Sequence, residues 1–326
     1  VLTLSDGSTV DAGYVVGPTG PAGSGVGITG ATVNGSGHLI LTFSNGSTVD
    51  AGYVVGPQGP PGSGSGSAAQ RTYYASQYST AQEAVNAAKG QRLVLDKMFN
   101  VTAPVTLFGP SYEGTCIVGT DNKGTGFKAV GAFSGFVLDI RANYITLENF
   151  TINGDAYDGV GGLAIGDRSV QQYTAYIGSV RGLIIKNVKG PGLGFFDQVD
   201  YWDFYNLRIM DGILGRCIRI ENPAGSVYDN GHVRFFGGFF SGVQEVLSRS
   251  AASATFHRVL FDGCQFVGGQ GASYMVDTSL IHEVTFVGCD FECFGGIPSS
   301  AVLKLNAWQQ TLIGCSFNGN NQTIPT

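Results

Sequence analysis

Acidic side chains are scarce in this chain, so the places where they gather carry information. Of 326 residues only 24 are Asp or Glu. Three of these, Asp197, Asp200 and Asp203, recur at a spacing of three with Tyr201 and Trp202 between them. Glu221 and Asp229 bracket the next loop-like stretch, Glu221-Asn-Pro-Ala-Gly-Ser-Val-Tyr-Asp229. Two carboxylates whose surroundings hold them in different protonation states can act as general acid and as base or nucleophile. Asp197 and Asp200 are expected in a loop before a strand, free to face solvent. Asp203 is expected to open that strand, pointing outward beside Arg234, a surface ion pair worth ~0–1 kcal/mol. Asp155 and Asp158, in Asn153-Gly-Asp-Ala-Tyr-Asp158, form a second candidate pair, although Asn-Gly-Asp is also ordinary turn chemistry.

What positions these carboxylates is a repeat. Past residue 140 the pattern runs apolar, any, apolar, any, Asn or Gly, any, any, apolar. It begins at Ile145, Trp202, Val233, Val259 and Val284, with weaker copies from Leu183 to Gly190 and from Gln310 to Phe317. The Asn/Gly anchors fall at 149, 187, 206, 237, 263, 288 and 314, the last four spaced 26, 25 and 26 apart. Two short strands per unit and a period near 25 describe a parallel β-helix, with equivalent residues stacked about 4.8 Å apart. A leucine-rich repeat has a similar period, but its L-x-x-L-x-L consensus is missing. The expected fold is therefore all-β, a right-handed parallel β-helix. Cys264, Cys289 and Cys315 then form an internal ladder beside Phe266, Phe291 and Phe317. Three thiols in one ladder cannot all pair, so buried reduced packing residues are expected. Cys289 and Cys293 lack a second Cys/His pair at finger-like spacing, which argues against zinc. Ser79-Thr80-Ala81-Gln82 reads as a capping box opening a short helix with Ala81, Ala84, Val85 and Ala88 on one face and Gly90 at its end. Strands are expected from Arg92 to Asp96 and from Val101 to Leu107.

The first 67 residues differ in kind: no Lys or Arg, and three aromatic residues, Tyr14, Phe43 and Tyr53. Leu2 to Gly25 and Leu41 to Gly64 agree at 20 of 24 positions. Each copy holds a turn, Asp6-Gly7 or Asn45-Gly46, with a hairpin expected over residues 37–50. Each copy ends in Gly-X-Y triplets, residues 17–23 and 56–62. That register suits three polyproline II chains wound together, since only glycine fits at the crowded axis; a Gly/Pro linker is the other reading. A single hairpin cannot bury a core, whereas three around an axis could, so a homotrimer is expected. Residues 62–67 read as a flexible linker. The expected organisation is a duplicated stalk at 1–67 and the β-helix with its capping helix at 68–326.

Composition excludes several classes. Glycine, at 51 residues, is about twice its usual share, and charged residues, at 13%, about half of theirs. Net charge is −6 with no basic patch interleaved with aromatics, so nucleic acid is not an expected partner. No apolar run approaches the ~20 residues of a membrane span, so no insertion is expected. No cofactor or metal is expected either.

The capping helix, the stretch Arg92 to Gly109 (RLVLDKMFNVTAPVTLFG), the Gly119 region and the F-x-G-C-x-F coils together resemble the pectate-lyase-like β-helix superfamily. In particular they resemble the central domain of bacteriophage tailspikes and tail fibres, where collagen-like triplets and short repeated β modules also occur. The resemblance covers nearly the whole chain as architecture. It implies a homotrimeric virion tail component, joined to other tail proteins, that recognises a bacterial surface polysaccharide (capsule or lipopolysaccharide) and often cleaves it. A depolymerase of this kind would be a glycoside hydrolase before a lyase, with carboxylates about 5 to 9.5 Å apart; Asp197, Asp200, Glu221 and Asp229 are the candidates. Tyr201 and Tyr228 are placed to stack on sugar rings, and Phe236 and Phe239, expected to point outward, serve either sugar stacking or trimer contact. A pectate-lyase-type Asp/Arg cluster is not recognisable. Gly231-His232 and Arg219-Ile220-Glu221 are fragments of a polygalacturonase-like pattern in the wrong order. Adhesin, depolymerase and structural spacer with its binding tip beyond Thr326 all remain open at this stage.

Overall fold

The computed structural model describes residues 2–10, 26–34, 38–53, 70–166, 174–212, 217–221, 230–242, 247–250, 256–268, 274–278, 281–293, 301–305 and 309–319. The chain divides into two compact units, Val1–Ala68 and Ala69–Thr326.

In the first unit, Ile28–Val33, His38–Phe43 and Thr48–Tyr53 form a three-stranded antiparallel sheet. The turn is set by its own residues. Gly46 takes φ +82°, and Asn45 Oδ1 accepts from the Ser47 amide and hydroxyl at 2.9 and 2.7 Å. Asp6 repeats the arrangement with Ser8 at 2.9 and 2.6 Å, and those hydrogen bonds hold its carboxyl below the usual carboxylate range. Ile28, Val33 and Val49 are exposed. The Gly-X-Y triplets and the linker at 62–67 lie outside the described residues.

The second unit is a parallel β-solenoid that matches a right-handed β-helix. Three parallel sheets of ten, nine and eight strands run along it among the described residues, each coil giving one strand to each sheet in turn. The core is a set of ladders. Phe204, Phe235, Phe261 and Phe286 stack at 4.7, 4.8 and 5.1 Å between ring centroids. Phe266, Phe291 and Phe317 stack at 4.9 and 5.0 Å. Cys264, Cys289 and Cys315 line the neighbouring row as free thiols, each beside a backbone carbonyl of the coil before, Phe235, Phe261 and Phe286 respectively.

The first corner of each coil explains the Asn/Gly signal. Asn149, Asn206, Gly237, Gly263, Gly288 and Gly314 all have φ between +52° and +65°, the left-handed region that Gly and Asn enter most cheaply. One anchor moves. In the coil of Ala175–Arg181 and Ile184–Lys186 this corner is Gly182, φ +60°, in register between Asn149 and Asn206. Asn187 sits one corner later. Leu183-Ile184-Ile185 reproduces the apolar opening of the motif, so alternation alone picks the wrong corner.

Two local expectations also shift. The capping box is Thr80 with Glu83: Thr80 Oγ1 accepts from the Glu83 amide at 3.2 Å, and Glu83 Oε2 accepts from the Thr80 amide at 3.0 Å. Gln82 is used elsewhere, its amide bridging both backbone groups of Thr106 at 2.8 and 3.0 Å, which pins the helix Ala81–Ala87 on the first coil. Ala81, Ala84, Val85 and Ala88 are buried as one face. The expected strand from Val101 to Leu107 is instead two, Met98–Val101 and Val105–Phe108. Pro104, with no amide hydrogen and a fixed φ, makes the corner between them.

Candidate functional site

On the outer face of the first sheet one row breaks the rules of a strand. Tyr144, Ile177, Tyr201, His232 and Arg258 occupy the same position in five consecutive coils, each just before the register position of Ile145, Gly178, Trp202, Val233 and Val259. All five have φ between +51° and +59°. None is glycine, and Ile177 is β-branched, the least tolerant type in this region. Such residues cost of order 1–3 kcal/mol each and gather at functional sites. The twist turns their side chains outward: Tyr144 is 56% exposed, Tyr201 55% and Ile177 44%.

The row is wired together along the axis. His232 Nδ1 lies 2.7 Å from Asp200 Oδ1, and Arg258 Nη1 lies 2.8 Å from His232 Nε2. A guanidinium only donates, so Nε2 is the acceptor and Nδ1 carries the proton given to Asp200. Arg258 Nε donates to Glu283 Oε2 at 3.2 Å, extending the chain by one coil. Tyr201 lies flat on the imidazole, 4.5 Å between centroids with the planes 6° apart. Beside the row, Arg234 Nε and Nη2 grip Asp203 Oδ1 and Oδ2 at 2.7 Å each, and those hydrogen bonds push the Arg234 guanidinium above its usual value.

Beneath the row, Trp202 is fully buried and its indole donates to the Ala175 carbonyl at 2.7 Å. Gly178 makes room for it, because a Cβ there would stand 2.5 Å from the indole ring.

Two clefts follow the row. The first, about 580 Å³, is lined by Tyr144, Thr146, Ile177, Ser179, Tyr201 and Asp203 among others. The second, about 510 Å³, is lined by Tyr201, His232, Arg258, Leu260, Glu283 and Thr285 among others. Tyr201 and Arg234 wall both, so the clefts adjoin along the solenoid axis. Both volumes fall within the ~300–1,000 Å³ of ligand clefts.

The carboxylates singled out above are not brought together by this site. Asp200 lies within the strand Val199–Tyr205 rather than in a loop, bound to His232. Asp197 precedes that strand but is fully buried, its Oδ1 accepting from the Gln198 amide at 3.1 Å, so it does not face solvent as expected. Glu221 ends Ile218–Glu221 in the third sheet, 3.0 Å from Arg219, on a separate cleft of about 370 Å³. Asp229 and Tyr228 lie outside the described residues. Asp155 and Asp158 each meet a lysine, Lys128 at 3.2 Å and Lys189 at 2.8 Å.

Phe236 and Phe239 are half-buried on the outer surface at either side of the corner Gly237-Gly238. Phe236 stacks on Tyr205 at 5.0 Å, and Arg208 lies over Phe239 at 5.5 Å. Among the described residues no cluster of three or more His, Cys, Asp or Glu side chains could hold a metal ion, and no helix is long and apolar enough to cross a membrane.

Sequence reasoning passed over His232, Arg258, Glu283, Tyr144 and Ile177 as site residues. Their signal was positional: each directly precedes one register position of the coil repeat, that of Ile145, Gly178, Val233, Val259 and Val284. Register alone does not announce a left-handed turn at a non-glycine residue.

No protein-family model matches the chain, and no curated protein matches it. Among solved structures it is similar to ORF18 of Geobacillus virus E2, at 14% identity and a TM-score of 0.58, covering 89% of this chain and 65% of that one. It is similar to the gp42 tailspike of Acinetobacter phage vb_AbaP_AS12, at 16% identity and a TM-score of 0.50, covering 71% of this chain and 40% of that one. The enzymatically active domain of tailspike protein 2 of bacteriophage CBA120 aligns at 12% identity and a TM-score of 0.47, covering 73% and 40%. The chain thus spans 65% or less of the length of these neighbours. At such identities the likeness is one of fold: the structural neighbours include phage tailspike proteins, and this chain shares a β-solenoid with them.

Proposed function

We propose that this chain is part of a homotrimeric phage tail protein, carried on the virion with other tail proteins, whose solenoid recognises a bacterial surface polysaccharide during host attachment. The observation that carries the reading is the left-handed row with its two adjoining clefts. Five strained, outward-turned residues in register need a reason, and an elongated ligand lying along the axis supplies one. Tyr201, with its exposed phenol between the clefts, is the natural sugar platform. The fold shared with tailspikes supports the same reading. The exposed Ile28, Val33 and Val49 of the first unit support trimerisation, since a lone three-stranded sheet of this kind has no core of its own. The Gly-X-Y triplets support it independently.

Within this reading, recognition is favoured over cleavage. The expected acid/base partners Asp200 and Glu221 stand on different sheets, Asp200 bound to His232 and Glu221 on a third cleft that Asp200 does not line, whereas a glycoside hydrolase sets its two carboxyls about 5 to 9.5 Å apart across one cleft. The test is to pass the purified protein over immobilised capsular and lipopolysaccharide glycans and to analyse the eluate by mass spectrometry. Retention that Tyr201→Ala lowers at least tenfold, with no released fragments, is the expected result. Fragments carrying added water would make the protein a hydrolase, and unsaturated fragments a lyase. Absence of retention on every bacterial glycan would overturn the reading.

A further inference from the structure

We infer that the second cleft selects a polysaccharide bearing carboxylate sugars, with Arg258 and Arg234 as the residues that read the acid. The inference rests on the polysaccharide reading above and names the substrate class within it.

The argument is an inventory of donors. Arg258 spends Nε on Glu283 and one hydrogen of Nη1 on His232 Nε2. Its Nη2 donates to nothing among the described residues, and its side chain is 61% exposed. Arg234 spends Nε and Nη2 on Asp203, leaving Nη1 on a side chain that is 53% exposed. Both arginines wall the second cleft, Arg258 in the row and Arg234 beside it on the strand that carries His232.

The acids present fix these arginines and do not cap them. Asp203 holds the inner edge of Arg234, and Glu283 holds the Nε edge of Arg258. Asp200 is occupied with the Nδ1 side of His232. The neutral lining is Val259, Leu260 and Thr285 with the Tyr201 ring. The cleft therefore presents two pre-oriented guanidinium edges beside an aromatic platform. Guanidinium pairs with carboxylate through charge-assisted, planar hydrogen bonds, and a donor already held in place loses less freedom on binding. A sugar carboxylate accepts from the remaining guanidinium N–H groups with its ring against Tyr201, whereas a neutral sugar offers those donors only weaker, uncharged acceptors.

The chain's net charge of −6 does not oppose this at physiological salt, where charges farther than about 8 Å are largely screened. Local pairing decides.

The test uses the full chain on an array of defined bacterial polysaccharides, with each bound polymer also presented after chemical reduction of its carboxyls to hydroxymethyl groups. The variants are Arg258→Gln and, as a control outside both clefts, Arg181→Gln. The expected result is binding to carboxylate-bearing polymers that falls at least tenfold on carboxyl reduction and at least tenfold in Arg258→Gln, with Arg181→Gln unchanged. Binding to neutral polymers, binding that survives carboxyl reduction, or binding lost only on removal of phosphate esters would overturn the inference while leaving polysaccharide recognition in place. Sensitivity to carboxyl reduction without sensitivity to Arg258→Gln would place acid recognition elsewhere and overturn the assignment to this cleft. No binding to any polymer by the unaltered chain would remove the polysaccharide reading and this inference with it. Circular dichroism of Arg258→Gln, expected to match the parent, separates a lost contact from a lost fold.

Discussion

The later coils and the middle coils of the solenoid solve one geometric problem in two ways. From Gly237 to Gly314 the first corners recur every 25 or 26 residues, and all are glycine. Between Asn149 and Gly237 the corners fall at 149, 182, 206 and 237, so the steps are 33, 24 and 31, and Asn alternates with Gly. The regular coils carry the stacked Phe and Cys ladders, and past Arg258 the row residues Glu283 and Gln309 lack the left-handed twist. The irregular coils carry most of the left-handed row and the first cleft. Regularity goes with an outer strand that returns to the extended backbone past Arg258, while Arg258, Leu260, Glu283 and Thr285 still line the second cleft. Where the period wanders, the backbone also serves the outer face.

If the stacked rungs carry the stability of the regular coils, removing one there should have the largest effect on stability of any change considered. Phe261 is fully buried between Phe235 and Phe286. Phe261→Ala is expected to cost about 3–5 kcal/mol, through lost burial plus the cavity left between rigid coils. Denaturant unfolding measures it. A cost under about 1 kcal/mol would mean that neighbouring coils collapse into the gap and the ladder is not rigid.

A second effect comes from the buried thiol Cys217, in the irregular region. Full burial pushes it up to about 12. A thiol whose folded pKa is raised contributes stability below its unfolded value and loses it as pH climbs toward the folded one. Between pH 9 and 12 the unfolded state sheds the proton first, and stability falls by up to about 1.4 kcal/mol per pH unit from this group. Unfolding curves at pH 8.5, 9.5 and 10.5 should show a shallower decline in Cys217→Ala than in the parent. Parallel declines would mean that the thiol is hydrated.

The same contrast explains what could be read before any coordinates. Phe261, Phe286 and Cys289 were legible because a buried rung writes itself into the sequence at a fixed period. The Asn/Gly corners were legible for a related reason, since few residues accept that backbone. Asn187 marks the limit: one extra apolar triplet, Leu183-Ile184-Ile185, imitates the motif and shifts the corner from Gly182. The site was less legible. The pairing of Asp203 with Arg234 followed from the coil alignment, although Asp203 lies inside the strand Val199–Tyr205 rather than opening it. Tyr201 stood out as an aromatic among acids, but its partner His232 lies 31 residues away in the sequence and one coil away in space. Asp197 misled because a carboxylate near a strand start looks solvated, while the coil buries it.

Corner residues offer a direct test of why glycine rules the regular coils. A Cβ at Gly288 would meet nothing within 4 Å, so only its φ of +57° resists substitution. Gly288→Ala should cost about 1–2 kcal/mol by backbone strain alone. Gly288→Asn should cost clearly less, because Asn already fills this corner at 149 and 206. Equal costs for Ala and Asn in thermal melts would mean that crowding, not backbone conformation, selects the residue.

The smallest effect on stability is expected where the comparison is sharpest, at Tyr201. Its φ of +55° is strain that a glycine would not feel. Against that relief stand the ring stacked on His232 and the added freedom of glycine in the unfolded chain, worth about 0.5–1 kcal/mol. The terms oppose one another, so Tyr201→Gly should change stability by no more than about 1 kcal/mol in either direction. Glycan retention in the same variant should fall at least tenfold. At Gly288 the outcome is reversed: Gly288→Ala costs stability and leaves retention intact. A residue whose removal spares the fold and abolishes recognition is held in its strained position by function. A drop in stability at Tyr201 comparable to that of Phe261→Ala would show instead that the row is part of the stack, and that the two kinds of coil do not differ in purpose.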